Sequence, residues 1–214
     1  MRGLQRLPKP QILINKEKIW LTKFLASGKK RPDSNKYAHH SIKTQLNSMS
    51  FNKCFYCETK LKGKRQEVDH HIEVAVDDTL SFEWDNLYQS CDNCNNKIPH
   101  SIISIYDTLN PCSNSDEEIM EHLTFDDELI VPKNNSPLGL ITIQKYRLDT
   151  EILDTRRLKS LKKFHKLIVE IQKNQINENR DYLTGDEINA IHRFKSIDHS
   201  FSLMFNVIIE KYGL

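Results

Sequence analysis

The chain has 214 residues and sets 31 Lys and Arg against 29 Asp and Glu, for a formal charge of +2 at neutral pH. That length can bury a sizeable core as one compact unit. The near balance of charge excludes bulk electrostatics as an argument for a polyanionic partner, so any such argument must rest on local sites. No run approaches the ~18 apolar residues of a membrane span, and the start MRGLQRLPKP lacks the apolar stretch of a secretory signal. A cytoplasmic location without a membrane partner is expected. In such a compartment cysteines stay reduced, so paired cysteine spacings point to metal rather than to disulfides.

In chain order, QILINKEKIWLTKFLASGK predicts a helix with Ile12, Ile19, Leu21 and Leu25 near helical spacing, stopped by Gly28 and Pro32. Tyr37 to Met49 predicts a second helix with Ile42, Leu46 and Met49 on one side. The segment from Cys54 to Ile98 has few helical periods and short β-compatible pieces such as EVDHHIEV, and the chemistry concentrates there. Short strands follow at LTF near Leu123, ELIV near Leu129 and GLITIQ near Ile141, separated by Pro132 and an NNSP turn. From Glu151 to Lys173 the apolar set Leu158, Leu161, Phe164, Ile168 and Ile171 predicts an amphipathic helix. Arg156, Arg157, Lys159, Lys162, Lys163 and Lys166 decorate its other faces. The capping pattern of Thr184 and Glu187 opens one long core-facing helix running through Ile188, Ile191, Phe194, Ile197, Phe201, Met204, Phe205 and Ile208. The expected organisation is a helical region over 1–53, a chemical centre over 54–100, an acidic short-strand region over 101–150 and C-terminal helices over 151–214.

Cys54-Phe55-Tyr56-Cys57 and Cys91-Asp92-Asn93-Cys94 are separated by 33 residues. Two such pairs can converge four thiolates tetrahedrally on zinc. A four-thiolate shell leaves no open position, so this zinc is a staple rather than a catalyst. The alternatives are a redox dithiol or ordinary buried thiols. Cys112 stands outside the pairs and is read as a plain thiol.

With the cysteines assigned, Asp69, His70, His71, Asn86 and Asn95 need a separate explanation. The order CFYC, VDHHIE, WDNLYQSC, CDNCNNK, with Asn86 sixteen residues after His70 and Asn95 directly after Cys94, resembles the HNH endonucleases of the zinc-stapled, ββα-metal type. The resemblance implies an α+β fold, with a small ββα-metal HNH core stapled by a four-cysteine zinc site and flanked by N-terminal and long C-terminal helices with a few short strands. It implies Asp69 and Asn95 as ligands of a catalytic Mg²⁺ or Mn²⁺, His70 as general base and Asn86 as the residue that orients the base loop. In colicin-type members two adjacent histidines act as ligand and then base, which makes His71 the alternative base. Otherwise His71 is a strand residue donating one hydrogen bond. Where the family often continues with a basic pair and glycine, this chain reads NNKIPH. Pro99 cuts any helix short, and Lys97 either contacts a phosphate or is simply exposed. Glu73, Asp77 and Asp78 are read as a solvated acidic loop.

Beyond these motifs, MRGLQRLPKP, the tryptophan-bearing helix, CFYCE and LNPCSNSDEEIMEHLTFDDELIVP resemble the PtuB family, the nuclease subunits of Septu-type anti-phage systems. That resemblance implies an ABC-type, PtuA-like ATPase as partner, and some family members are attached to retrons with their RNA–DNA and reverse transcriptase. The chain has no GxxxxGK[ST] pattern, in keeping with ATP use by a partner. The implied substrate is nucleic acid, DNA or RNA, transfer RNA included. The basic helix over 156–166 either holds a substrate backbone or is a solvated or ATPase-docking face. The competing function is a non-catalytic zinc-ribbon module that binds nucleic acid or serves as an adaptor. A pure binder, however, has no need of the D-H, asparagine and CxxCN intervals.

Overall fold

The computed structural model describes residues 1–61 and 66–214. Helix α1 (Gln11–Ala26) begins after Pro10 and ends at Ser27, with Gly28 taking φ 65 beyond it. Its buried residues are Leu13 and Phe24, while Ile19 and Leu25 lie exposed. The inward face is therefore rotated from the one expected: Trp20 and Phe24 both pack on Phe82, at centroid distances of 5.8 and 6.3 Å. One turn, α2 (Ser34–Tyr37), leads into α3 (His40–Ser50), which buries Ile42, Leu46 and Met49 as the spacing predicts.

The centre is an antiparallel ribbon of β1 (Glu67–His70) and β2 (Leu87–Ser90), registered with Asp69 opposite Tyr88 and His70 opposite Leu87. The first cysteine knuckle is tied to it, since Phe55 N–H donates to the Gln89 carbonyl at 2.9 Å. A single turn, α4 (Asp92–Asn95), carries the second knuckle. The N-terminal segment straps this centre. The Arg6 guanidinium donates to the carbonyls of Trp84, Asp85 and Leu87 and lies 4.5 Å from the Tyr88 ring centroid. Trp84 Nε1 in turn donates to the Leu7 carbonyl.

After the centre, α5 (Asp116–His122) opens with a full capping box of Ser115 and Glu118. It runs into the hairpin of β3 (Leu123–Asp126) and β4 (Leu129–Pro132), the two expected strands. GLITIQ is not a strand but part of α6 (Pro137–Tyr146). The start signal outweighs the β-branched residues: Ser136 caps the Gly139 N–H, and Pro137 occupies the first turn, where its missing donor costs nothing. Gly139 is required by contact, because a Cβ there would meet the His122 carbonyl oxygen at 2.1 Å. Gly139→Ala is expected to destabilise the fold by roughly 1–3 kcal/mol, seen as a lower melting temperature by circular dichroism.

Helix α7 (Glu151–Asn177) is the longest element. Its buried stripe is Leu153, Arg157, Leu161, Phe164 and Ile171, so Arg157 belongs to the core face and not to the basic decoration expected of it. The guanidinium is satisfied there by the Glu128 and Leu148 carbonyls and by Asp154. The expected long terminal helix is two helices, α8 (Gly185–His192) and α9 (Ser202–Tyr212). Between them the chain turns, and Phe201 adopts φ 59 to bring its ring into the core. The break lets Phe194 and Phe205 both reach Phe164, with centroids 5.1 and 5.4 Å away, which a straight helix could not do. Among the described residues no helix is long and apolar enough to cross a membrane.

Candidate functional site

The four paired cysteines are buried, and their sulfurs lie within 4.8 Å of one another. All are free thiols. Four thiols at that separation could hold a metal ion, and the donor set is the one soft, tetrahedral ions select. Cys112 lies apart and half-buried.

Beside this knot a cleft of about 560 Å³ opens, lined by Asp69, His70, Asn95 and Lys97 from the centre. Lys30 and Arg31 from the α1–α2 turn, Tyr37 at the end of α2 and Arg147 at the end of α6 complete the rim. The ribbon sets the first two residues: Asp69 and His70 are the last two residues of β1, and both line the cleft. Asp69 is buried, and its Oδ2 accepts from Tyr56 OH at 2.7 Å and from Lys97 Nζ at 2.6 Å. Its Oδ1 has no hydrogen bond among the described residues. Asn95, exposed on α4, lines the same cleft, and its Oδ1 accepts from the Ser90 hydroxyl at 3.4 Å. One free carboxylate oxygen and one amide oxygen are the hard donors that magnesium or manganese takes, with water and substrate oxygens completing the shell.

His70 Nε2 lies 2.9 Å from the Ser81 carbonyl. A carbonyl only accepts, so the ring hydrogen sits on Nε2 and Nδ1 keeps its lone pair. Burial holds the imidazole pKa below its ordinary value, although the Ser81 carbonyl and Asp69 pull the other way. The ring packs at 4.6 Å from Tyr37. A neutral imidazole fixed by one nitrogen, with the other free, can accept a proton from water.

Asn86 does not line that cleft. It is buried, and its amide ties the loop behind His70: Oδ1 accepts from Ile72 N–H at 2.6 Å, and Nδ2 donates to the Ile72 and Leu80 carbonyls at 3.0 and 3.2 Å. The tied loop carries Ser81, whose carbonyl meets His70 Nε2. His71 lines a different cavity together with Arg6, Asn86 and Cys112. It is buried and stacked on Tyr88 at 4.5 Å, and its Nδ1 has no partner among the described residues. Its backbone N–H donates to the Asn86 carbonyl at 2.8 Å. Its pKa is pushed down to about 3, first by burial and then by the Lys97, Arg6 and Lys145 cations.

Two charged residues lie otherwise than expected. Lys97 is neither exposed nor free for a phosphate: its side chain is 4% exposed, and Nζ donates to Asp69 and to the His70 and His71 carbonyls at 2.6 and 3.1 Å. Glu73 is no solvated loop residue. It accepts from Lys145 Nζ at 2.8 Å and from His100 N–H at 3.0 Å. Burial disfavours its charge, yet Lys145 and His100 hold the carboxyl below the usual range. Lys145 also donates to the Ile98 and Ile103 carbonyls, pinning the chain that leaves the second knuckle onto α6. Tyr56, Tyr37, Lys145 and the rim cations were not anticipated. Only Tyr56, enclosed by the first cysteine pair, carried a signal of its fixed position.

A family profile described as HNH endonuclease matches residues 54–100. Septu protein PtuB of Bacillus thuringiensis is 36% identical over 99 residues, which cover 45% of this chain and 37% of that protein. Septu protein PtuB of Bacillus mycoides (strain KBAB4) is 29% identical over 169 residues, covering 65% of this chain and 56% of that protein. The alignments therefore span less than two thirds of either relative's own length. Residues 54–100 are thus similar to the HNH endonucleases, within a chain that is similar to Septu protein PtuB.

Proposed function

We propose that this chain is a divalent-metal-dependent endonuclease that hydrolyses phosphodiester bonds, with His70 as general base and with Asp69 and Asn95 as the residues that hold the catalytic Mg²⁺ or Mn²⁺. The observation that carries this reading is the shared cleft: Asp69, whose Oδ1 has no hydrogen bond among the described residues, the exposed Asn95, and His70, whose Nε2 is fixed by a carbonyl, all line it. When bound, the ion supplies Lewis-acid stabilisation of charge on the phosphate and leaving oxygen. Nδ1 of His70 takes the proton of the attacking water, and the Ser81 carbonyl stabilises the imidazolium that forms. Asn86 keeps that carbonyl in place. The four cysteines are proposed to hold zinc, which fixes α4 and hence Asn95.

The rim fits a polyanionic backbone. Lys30, Arg31 and Arg147 are exposed at the cleft and form no ion pair among the described residues. Arg147 takes φ 54 at the end of α6, a position that ordinarily favours glycine. Reversing these charges (Lys30→Glu with Arg31→Glu, or Arg147→Glu) is expected to weaken binding of a labelled oligonucleotide in fluorescence anisotropy. The slope of log affinity against log salt should fall by roughly one for each phosphate that is no longer neutralised.

Because the relatives are Septu proteins, the proposed setting is an anti-phage defence complex with an ABC-type, PtuA-like ATPase. The relatives' names say nothing of a retron, and the ATPase is the partner proposed. The alternative of a non-catalytic binding module gains no support from the cleft, since a binder has no use for a neutral base beside a free carboxylate oxygen. The test incubates wild-type and His70→Ala protein, alone and co-purified with the ATPase, with DNA and RNA substrates in magnesium and in EDTA. Cleavage confined to wild type in magnesium is the expected result. Equal cleavage by both proteins, or none in any arm, overturns the proposal.

A further inference from the structure

Among the described residues Asp69 makes its side-chain hydrogen bonds through one oxygen only. Oδ2 accepts from Tyr56 OH and from Lys97 Nζ, and Oδ1 from neither. The two donors come from the two cysteine knuckles: Tyr56 lies between Cys54 and Cys57, and Lys97 follows Cys94 by three residues. We propose that Tyr56 and Lys97 are positioning residues that clamp Oδ2, so that Asp69 presents Oδ1 alone to the divalent ion. This rests on the reading of Asp69 as a ligand of that ion.

The clamp is built to be rigid. Tyr56 is fully buried, and its ring stacks on Tyr146 at 4.2 Å with an 18° interplanar angle. Lys97 spends all three ammonium protons, one on Asp69 and two on the His70 and His71 carbonyls, so it holds both the carboxylate and the end of β1. With the pair 8% and 4% exposed, water does not compete for these bonds. A carboxylate pinned by one oxygen cannot rotate or bind an ion through both oxygens, which suits an ion that demands near-ideal octahedral geometry. The cysteine knot therefore sets the ion's ligand directly, through two hydrogen bonds, as well as through α4 and Asn95.

Lys97 carries a charge that repels a cation, so its removal changes affinity in two opposing ways, whereas Tyr56 is neutral and reports orientation alone. The experiment measures Mn²⁺ binding to the protein by electron paramagnetic resonance of the free ion, with metal content of the knot and circular dichroism recorded for each variant. Tyr56→Phe is expected to fold with an intact knot and to bind Mn²⁺ roughly tenfold more weakly, the usual loss for an outer-shell hydrogen bond. In the same samples, with the partner present, Lys97→Met is expected to cleave roughly tenfold more slowly at saturating Mn²⁺, and Lys97→Arg to recover most of that rate. Wild-type affinity in Tyr56→Phe overturns the clamp, whatever Lys97→Met does. Should Lys97→Met fail to fold, the Tyr56→Phe affinity decides alone. Asp69→Ala separates the two proposals: loss of Mn²⁺ binding there together with wild-type binding in Tyr56→Phe sinks only the clamp, while wild-type binding in Asp69→Ala sinks the ligand assignment itself.

Discussion

His70→Ala is expected to lower cleavage by roughly 10² to 10⁴-fold at neutral pH while leaving the fold intact, the usual contribution of a positioned general base. The side chain packs against Tyr37 and bonds to one carbonyl, so its loss removes little of the core. His71→Ala is expected to do the reverse. That ring is stacked on Tyr88 and buried, so truncation leaves a cavity costing roughly 3–5 kcal/mol if it behaves as a buried aromatic, while cleavage per folded molecule is retained. Melting curves and rates normalised to folded protein separate the two. If only His71→Ala abolishes cleavage, the base is His71 and the cleft assignment falls.

Metal removal from the cysteine knot is expected to be more drastic for structure. Structural zinc contributes roughly 10–16 kcal/mol in small peptides, comparable to or larger than the roughly 5–15 kcal/mol net stability of a domain. The knot ties the first knuckle to β2 and positions α4, so Cys91→Ser or exhaustive chelation should unfold the centre and lose the cleft with it. Cys112→Ser, outside the knot, should leave metal content and melting unchanged. Elemental analysis giving no zinc in protein purified without chelator, with all cysteines reduced, would contradict the assignment.

The chemical centre was legible in the sequence because its signals are local or at fixed separations: two CxxC pairs, adjacent Asp and His in a strand, and an asparagine after the last cysteine. The helices around it were legible as helices, but their faces less so. In α1 the periodicity was spread over several apolar residues, and only the position of Phe82 selected Trp20 and Phe24 as the inward pair. GLITIQ is β-branched and reads as a strand, yet the Ser136 cap and the packing of Gly139 on α5 make it helical. The break between α8 and α9 followed from the need of two aromatic rings to reach Phe164 from different directions.

Spacing along the chain names the candidate donors: four thiols set for a metal, with Asp69, His70 and Asn95 placed among and beside them. Which of their atoms remain available follows from packing. Side-chain direction and burial turn His70 to the cleft and His71 to the Tyr88 ring, and they commit Lys97 to Asp69 instead of to a phosphate. They also draw Lys30, Arg31 and Arg147 from distant segments to a single rim. A ligand set can be written into spacing, whereas the saturation of a carboxylate oxygen or an ammonium depends on long-range partners that converge only when the whole chain has packed.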